Sequence, residues 1–289
     1  MVVLPKHITV LPVCYRHSIL FGLGVTSELE LPLRQSFGPA QVEVVFGHVV
    51  AEGVLLFQTD DPHQFACYQQ GHAVIVVWSG IRFEVAPERV VVDAEDHDTA
   101  AHLLVSAVWS VVLAAHQRES LHGSAVEHKG HTVAILGASG SGKSTAAHAL
   151  IKRGWRLVSD DLLTFDADLR VVPGPPWMRF LPSHGDAWSG TPDAGGKVRV
   201  QPPVSSHPAP IAAIVIMAPE HQRCVRLSGT SAAAALLQQV YNPLLTHPGQ
   251  VHRRFDLVHA LVDRIPIYGA APRSLSVDQL VRISQETIA

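Results

Sequence analysis

Thr132–Lys152 reads TVAILGASGSGKSTAAHALIK, three kinds of sequence in immediate succession with Thr145 at the second junction. Thr132–Leu136 is a β-branched and aliphatic run suited to a buried strand, and Ala146–Lys152 is rich in helix formers. Between them Gly137–Ser144, GASGSGKS, fills every fixed position of the phosphate-loop pattern: glycine, four residues, glycine, lysine, then serine or threonine. Gly137, Gly140 and Gly142 admit backbone angles that a side chain penalises. The N–H groups of these residues and of Ala138, Ser139 and Ser141 between them are thereby free to turn inward on one anion. Lys143 stands where an ammonium reaches the outer phosphates. Ser144 or Thr145 puts a hydroxyl on magnesium at the first turn of a helix whose dipole also favours negative charge. The stretch predicts strand, loop and helix, with a nucleoside triphosphate as ligand.

Downstream, Arg156-Leu157-Val158-Ser159 leads into Asp160-Asp161, which places two carboxylates at the end of a predicted strand, the end where open α/β sheets bind ligands. Adjacent strand residues point to opposite faces unless the chain turns, so the two aspartates are expected to differ in task. One suits magnesium and the other the proton of an attacking hydroxyl. An Asp-Asp pair after a strand is ordinarily a solvated turn or a helix cap; its position soon after the loop favours the functional reading. Upstream, His122 opens the segment HGSAV ahead of the strand pair that delivers the loop. Gly123 beside it permits close backbone approach, and a histidine facing an aspartate steers that carboxylate's hydrogen bonding and charge. Arg179, Lys197, Arg199, Arg253 and Arg254 are candidate partners for phosphate or substrate. Lys197 and Arg199 rank first because they sit in a glycine-flanked loop.

Taken together, Leu121–Leu163, LHGSAVEHKGHTVAILGASGSGKSTAAHALIKRGWRLVSDDLL, resembles the catalytic core of the HPr kinase/phosphorylase superfamily. Histidine-glycine, a strand pair, the phosphate loop, Arg153-Gly154 and an aliphatic strand ending in Asp-Asp occur in that order. The resemblance is nearest to the HPr-kinase-like proteins found beside lasso-peptide biosynthesis genes. Those proteins share a pattern like Ser27-Glu28-Leu29-Glu30-Leu31-Pro32, and further likeness at Pro173-Gly174-Pro175 and at the lysine of Gly196-Lys197-Val198-Arg199. The resemblance implies ATP and Mg2+ as cofactors, Asp160 as general base with His122 as its partner, and Asp161 on the metal. Lys143, Ser144 and Thr145 would handle phosphates and magnesium. The chain has no counterpart of the glutamate-containing, glycine-rich signature that follows the core in HPr kinase/phosphorylases, so kinase activity without phosphorolysis is the expectation. The implied acceptor is a serine hydroxyl of a peptide or protein, the carboxy-terminal serine of a lasso-peptide precursor among them. A small-molecule hydroxyl kinase and a non-catalytic nucleotide-binding regulatory module are the alternatives.

The remainder of the chain fits a P-loop-containing α/β catalytic domain preceded by a small, mostly β amino-terminal domain, with the division at residues 1–94 and 95–289. From Ile8 to about Val92 short strand-like runs alternate with turn signals: Val42–Phe46, Val49–Phe57, Ala73–Trp78 and Ile81–Val85. Glu95–Gln117 is a long apolar helix whose core, Ala101–Ala115, falls short of the roughly twenty residues a bilayer needs and reads as buried. Ile211–Met217 is a continuous aliphatic strand, Ser231 caps a helix running to Tyr241, and Val277–Thr287 is an amphipathic helix. Pro173–Pro176, Asp193–Gly196 and Gln201–Pro203 break regularity and are candidate lids. With 289 residues, 47% hydrophobic and a formal charge of −3, the chain has the means for a large core and no global attraction to nucleic acid or an anionic membrane. Cys14, Cys67 and Cys224 lack CxxC spacing, and no secretion signal opens the chain, so a reducing cytoplasm is expected. The 18 histidines carry no metal-ligand spacing.

Overall fold

The computed structural model describes residues 16–61, 64–180, 191–192, 197–242, 245, 247–272 and 275–286. Cys14, the expected loop Asp193–Gly196 and Thr287 lie outside the described residues. The architecture is mixed α/β. Arg16–Leu20 (β1), Leu23–Ser27 (β2), Val42–Phe46 (β3), Val54–Gln58 (β4), Phe65–Gln70 (β5), Ala73–Trp78 (β6), Ile81–Val85 (β7) and Arg89–Asp93 (β8) form one eight-stranded sheet in the order β1-β2-β3-β8-β7-β6-β5-β4. Period-two burial along β2 and β7 turns one side of the sheet toward the core. The expected strand Val49–Phe57 is shorter and later. Gly53 adopts φ +128°, and its backbone runs so close to the Gln69 carbonyl that a Cβ would stand 2.4 Å from that oxygen, so pairing starts only at Val54.

The apolar segment after β8 forms one helical run of 19 residues, His97–Ala115, capped by the Asp96 carboxylate on the Thr99 N–H at 3.0 Å. It comprises α1 (His97–Leu103), a π-helical turn (Leu104–Val108) and α2 (Trp109–Ala115). The run is longer than its sequence core suggested and, by length and composition, is enough to cross a membrane. In the fold, 67% of its apolar window is buried, with Leu104, Trp109, Val112 and Leu113 sharing a core with Leu23, Val25, Phe83 and Val90 of the eight-stranded sheet. This apolar stripe covers the inner face of the sheet.

A second sheet carries the loop. Ser120–His128 (β9), His131–Gly137 (β10) and Arg156–Thr164 (β11) flank the helix Lys143–Ile151 (α3) in sequence. Met178–Phe180 (β12), Thr191–Pro192 (β13) and Val198–Val200 (β14) form a small separate sheet in the order β12-β14-β13. Then follow Ile211–Met217 (β15), Val225–Leu227 (β16), Gly229–Leu237 (α4), Pro248–Arg264 (α5), Ile267–Ala270 (β17) and Val277–Glu286 (α6). The main sheet runs β11-β9-β10-β15-β17-β16, with β10, β15 and β17 parallel and β9 antiparallel to both neighbours. Why β10 and β15 are continuous apolar runs is plain from their packing. Val133, Ile135, Ala213 and Val215 face a core with Ala147 and Leu150 of α3 and Leu280 and Ile283 of α6. Ala134, Leu136, Ile214 and Ile216 face another with Leu236 of α4 and Val258 and Leu261 of α5. Strands covered on both faces have no side on which a polar residue is tolerated.

Three sequence expectations change here. The strand expected to end at Asp160-Asp161 continues to Thr164, because residues 159–164 keep pairing with residues 120–125 of β9 after a bulge at Val158. The helix expected from Ser231 to Tyr241 is instead α4. Ser231 occupies its first turn, its hydroxyl donating to the Ser228 carbonyl at 2.7 Å, and the chain leaves the helix after Leu237 so that Val240 bridges to Leu121. Two candidate lids are packed connections. Gly174 donates to the Val158 carbonyl at 2.9 Å with no room for a Cβ beside Ser159 and Phe21. Val204 bridges to Leu157 on the edge of β11.

Gly123 lies opposite Asp161, where a Cβ would stand 2.4 Å from a Leu136 methyl and 2.9 Å from the Ile135 carbonyl oxygen. The second contact is backbone and has no rotamer to yield with. Gly123→Ala is therefore expected to destabilise the fold by about 2 kcal/mol, read as a lower denaturant midpoint at unchanged slope. An unchanged midpoint would mean that β9 and β10 separate freely.

Candidate functional site

The loop between β10 and α3 takes the conformation its glycines permit: φ is +148° at Gly137, +80° at Gly140 and +103° at Gly142. At Gly137 a Cβ would also stand 2.6 Å from the Met217 carbonyl oxygen, so the loop presses on the end of β15. Lys143, the first residue of α3, is buried and folds back over the loop, donating from Nζ to the carbonyls of Gly137 at 2.8 Å and Ala138 at 2.9 Å. Burial pushes its ammonium pKa down, against the opposing pull of Asp160 and Asp161. The Ser141 hydroxyl is buried within the loop with no hydrogen-bond partner among the described residues. An anion cradle leaves a polar atom in that state when its ligand is the missing partner.

The aspartate pair faces this loop across a cleft of about 450 Å³. Ser139, Gly140, Gly142, Lys143, Ser144 and Thr145 line one side, and both Asp160 and Asp161 line the other. Strict strand alternation would send the two carboxylates to opposite faces. Asp161 escapes it with a left-handed φ of +73°, and both side chains enter one space. Asp160 Oδ1 accepts from the Ser124 hydroxyl and, at 3.0 Å, from the Ser144 hydroxyl, while Oδ2 accepts from the Arg179 backbone N–H at 3.2 Å. Burial, with the charge of Asp161 adding to it, holds the Asp160 pKa above the ordinary carboxylate range despite those donors. For Asp161, burial acts upward too, but the hydrogen bond and charge of His122, with Tyr241 and Arg179 behind them, outweigh it and bring the pKa down.

His122 therefore partners the other aspartate from the one expected: its Nε2 lies 3.3 Å from Asp161 Oδ1, whereas Asp160 turns to the two serines. The reason is register. His122 sits opposite Leu162 on β9, one step from the Asp161–Gly123 pair, and Ser124 sits opposite Asp160. Lys197 and Arg179 reach the cleft wall. Arg199 does not line it; its guanidinium lies over the Trp177 ring, 5.5 Å from the centroid.

Sequence reasoning missed Tyr241. Its hydroxyl donates to Asp161 Oδ2 at 3.1 Å and its ring meets that of His122 edge-on, 5.6 Å between centroids. No local pattern marks it, because what places it is a distant clamp. Arg254 on α5 donates to the carbonyls of Asn242 at 2.9 Å and Leu245 at 3.0 Å and pairs with Glu119 at 3.3 Å, while the Asn242 amide donates to Ser110 on α2 at 2.7 Å. Arg253 lies 3.7 Å from the same Glu119, so both arginines serve this clamp. The donor set at the cleft suits a magnesium nucleotide: hard oxygens from Ser144, Asp160 and Asp161 facing a loop with an orphaned buried hydroxyl and a buried lysine.

Residues 113–171 match the HPr Serine kinase C-terminal domain family. The matched stretch takes in β9, β10, the glycine loop, α3 and β11, and with them both aspartates and His122. The HPr kinase/phosphorylase of Lactobacillus acidophilus is 46% identical over 68 residues, 22% of this chain and 21% of that protein. That of Lachnoclostridium phytofermentans is 40% identical over 80 residues, 28% and 26% of the two chains. The chain spans about a fifth to a quarter of the length of these curated relatives. Among solved structures, the Hpr(Ser) kinase/phosphatase from Coxiella burnetii aligns over 57% of this chain and 86% of its own at 12% identity, with a TM-score of 0.29, too low a likeness to bear on the fold.

The raised pKa of Asp160 has a sign that can be checked by melting. A carboxyl held above its unfolded value contributes stability that is full below the unfolded pKa and is lost as pH rises through the folded one. Asp160→Asn removes that loss: the amide oxygen accepts from the Arg179 N–H and the two serine hydroxyls rotate to accept from the NH2. The variant should gain on the wild type as pH is raised upward from the unfolded carboxyl pKa of about 4, in thermal melts at matched salt. A difference that shrinks over that range would reverse the assigned direction.

Proposed function

We propose that the chain is an ATP-dependent kinase that transfers the γ-phosphoryl group to a serine hydroxyl of a peptide or protein. The observation that carries the reading is the cleft in which a glycine loop with a buried lysine faces two carboxylates of opposed character, Asp160 raised and Asp161 lowered in pKa. A general base works best with a pKa drawn toward neutrality, whereas a cation needs a carboxylate that stays ionised. Asp160 is accordingly the base and Asp161 the metal-side carboxylate, with His122 and Tyr241 holding it. The acceptor oxygen bonds to the γ-phosphorus as the bond to the β,γ-bridging oxygen breaks, the hydroxyl proton passes to Asp160, and ADP leaves. Lys143 lets go of the loop carbonyls and turns its ammonium to the phosphates, and Lys197 and Arg179 stand where charge spreads over the equatorial oxygens. Magnesium, held by Ser144 and Asp161, would offset the phosphate charge.

The match to the HPr Serine kinase C-terminal domain family supports the choice of a serine hydroxyl. The sequence resemblance to kinases of lasso-peptide gene clusters makes the carboxy-terminal serine of such a precursor the first acceptor to try. The free thiols of Cys67 and Cys224 are in keeping with a reducing cytoplasm.

The test is transfer of labelled γ-phosphate, with magnesium, to a serine-ending precursor peptide, to HPr and to a panel of small hydroxyl compounds. Label on a peptide or protein serine is expected. Asp160→Asn should lower transfer at least about a hundredfold while keeping ATP binding, and Asp161→Asn should raise the magnesium requirement by about tenfold or more. Label confined to the small compounds would assign a small-molecule kinase. ATP binding with no transfer to any acceptor would leave a regulatory nucleotide module, and full-rate transfer by Asp160→Asn would remove it as the base.

A further inference from the structure

The cleft is chemically divided. Beyond the phosphate loop it continues as an apolar slot between two helices, walled by Ala146 and Ala149 of α3, Met217 at the end of β15, and Leu275, Val277 and Leu280 at the start of α6. None of the chemistry assigned above uses these residues. We propose that this slot is the subsite for the base of the nucleotide, taking a flat purine ring by apolar contact alone. The inference deepens the kinase reading and rests on it.

Three observations carry it. The slot opens directly from the phosphate loop, since Met217 touches Gly137 and Ala146 follows Ser144 by two residues on α3. From Ser144 to Ala149 the helix rises about 7.5 Å, a span that a ribose bridges between phosphate and base. The wall nearest the loop helix is made of the smallest side chains: Ala146 and Ala149, three apart, leave a shallow flat face on one side of α3. The opposite wall is preformed. Leu280 and Ile283 of α6 are buried in one core with Leu150 and Ile151 of α3, and Arg153 pairs with Asp278 across the two helices. Among the described lining residues, the hydrogen-bonding side chain nearest this end along α3 is Thr145, one turn before Ala149, and its hydroxyl both donates and accepts and so fits either purine edge. A ring held by apolar contact is poorly told from another of the same shape, whereas a ring read by buried polar groups is told apart strongly. The site should therefore bind ATP and GTP alike.

The experiment is titration calorimetry of the full chain with magnesium, using ATP, GTP and inorganic tripolyphosphate as probes, with melts of each variant to establish folding. The wild type is expected to bind ATP at least about tenfold more tightly than tripolyphosphate and to hold ATP and GTP within about tenfold of each other. Ala149→Leu fills the slot and Leu275→Ala strips its far wall. Each should weaken ATP by about tenfold, a difference of about 1.4 kcal/mol, and leave tripolyphosphate unchanged. Tripolyphosphate bound as tightly as ATP by the wild type, or ATP affinity untouched in both variants, would overturn the subsite and leave the kinase reading standing. Equal losses for ATP and tripolyphosphate would overturn it too, by placing the effect at the phosphate loop. A preference of a hundredfold or more between ATP and GTP would overturn apolar recognition. Failure of the wild type to bind any of the three would bring down the nucleotide reading and the subsite with it.

Discussion

A half-buried carboxylate persists only where donors replace the water it has lost. Asp160 meets that condition with donors from three separate elements: the Ser124 hydroxyl on β9, the Ser144 hydroxyl on α3 and the Arg179 N–H on β12. Much of the site follows from this one requirement. The helix after the glycine loop, the neighbouring strand and the small sheet that carries Arg179 all converge on the same side chain. If any of them withdrew, a desolvated charge would lack a partner. The donors are nonetheless too few to restore an ordinary pKa, so the carboxylate retains an appetite for a proton that a fully solvated aspartate lacks.

Its neighbour is held by other means. Asp161 sits one residue further along the same strand, and its left-handed backbone is what brings it round into the cleft. Gly123 stands opposite it on β9, where Leu136 and Ile135 of β10 and Leu163 of β11 leave no room for a Cβ. His122 and Tyr241 then keep the carboxylate ionised. The tyrosine reaches it because the Arg254–Glu119 pair and Asn242 tie the segment after α4 to α5 and α2. A buried ion pair contributes little net stability in itself, but removing one partner leaves the other charge exposed to the interior. The clamp thus fixes geometry more than it lowers energy, and it links the long helix under the amino-terminal sheet to the aspartate end of the cleft.

What could be read from the sequence divides along the same line. The loop was legible because its function is a local backbone conformation, encoded by glycines at fixed spacing and by the strand and helix on either side. The strands Val42–Phe46, Ala73–Trp78, Ile81–Val85 and Ile211–Met217 were legible because burial writes itself as periodicity or as an unbroken apolar run. Tyr241 was not legible, since apolar residues before it continue a helical pattern and the force that ends the helix is a bridge to Leu121 from outside the segment. Nor was the partner of His122, which depends on the register of β9 against β11 and on a bulge at Val158 that no side-chain pattern announces. Pro-Gly-rich connections read as candidate lids for a related reason: composition reports what a segment permits, whereas the packing of Gly174 against Ser159 and Phe21 decides what it does.

Two adjacent aspartates in one strand would ordinarily share a fate, both ionised in water or both suppressed by burial. Here the backbone separates them. One faces hydroxyls and a backbone amide, neutral dipoles that only partly offset desolvation; the other faces an imidazole and a phenol, with an arginine near enough to be felt. Mutual repulsion reinforces the split, because the charge fixed on Asp161 raises the free energy of a second charge on Asp160. The same proximity would also govern the response to a magnesium nucleotide. A cation beside Asp161 lowers the proton affinity of both carboxylates, and the triphosphate raises it, so the state of Asp160 is set by the balance of donor complex and aspartate pair rather than by either alone.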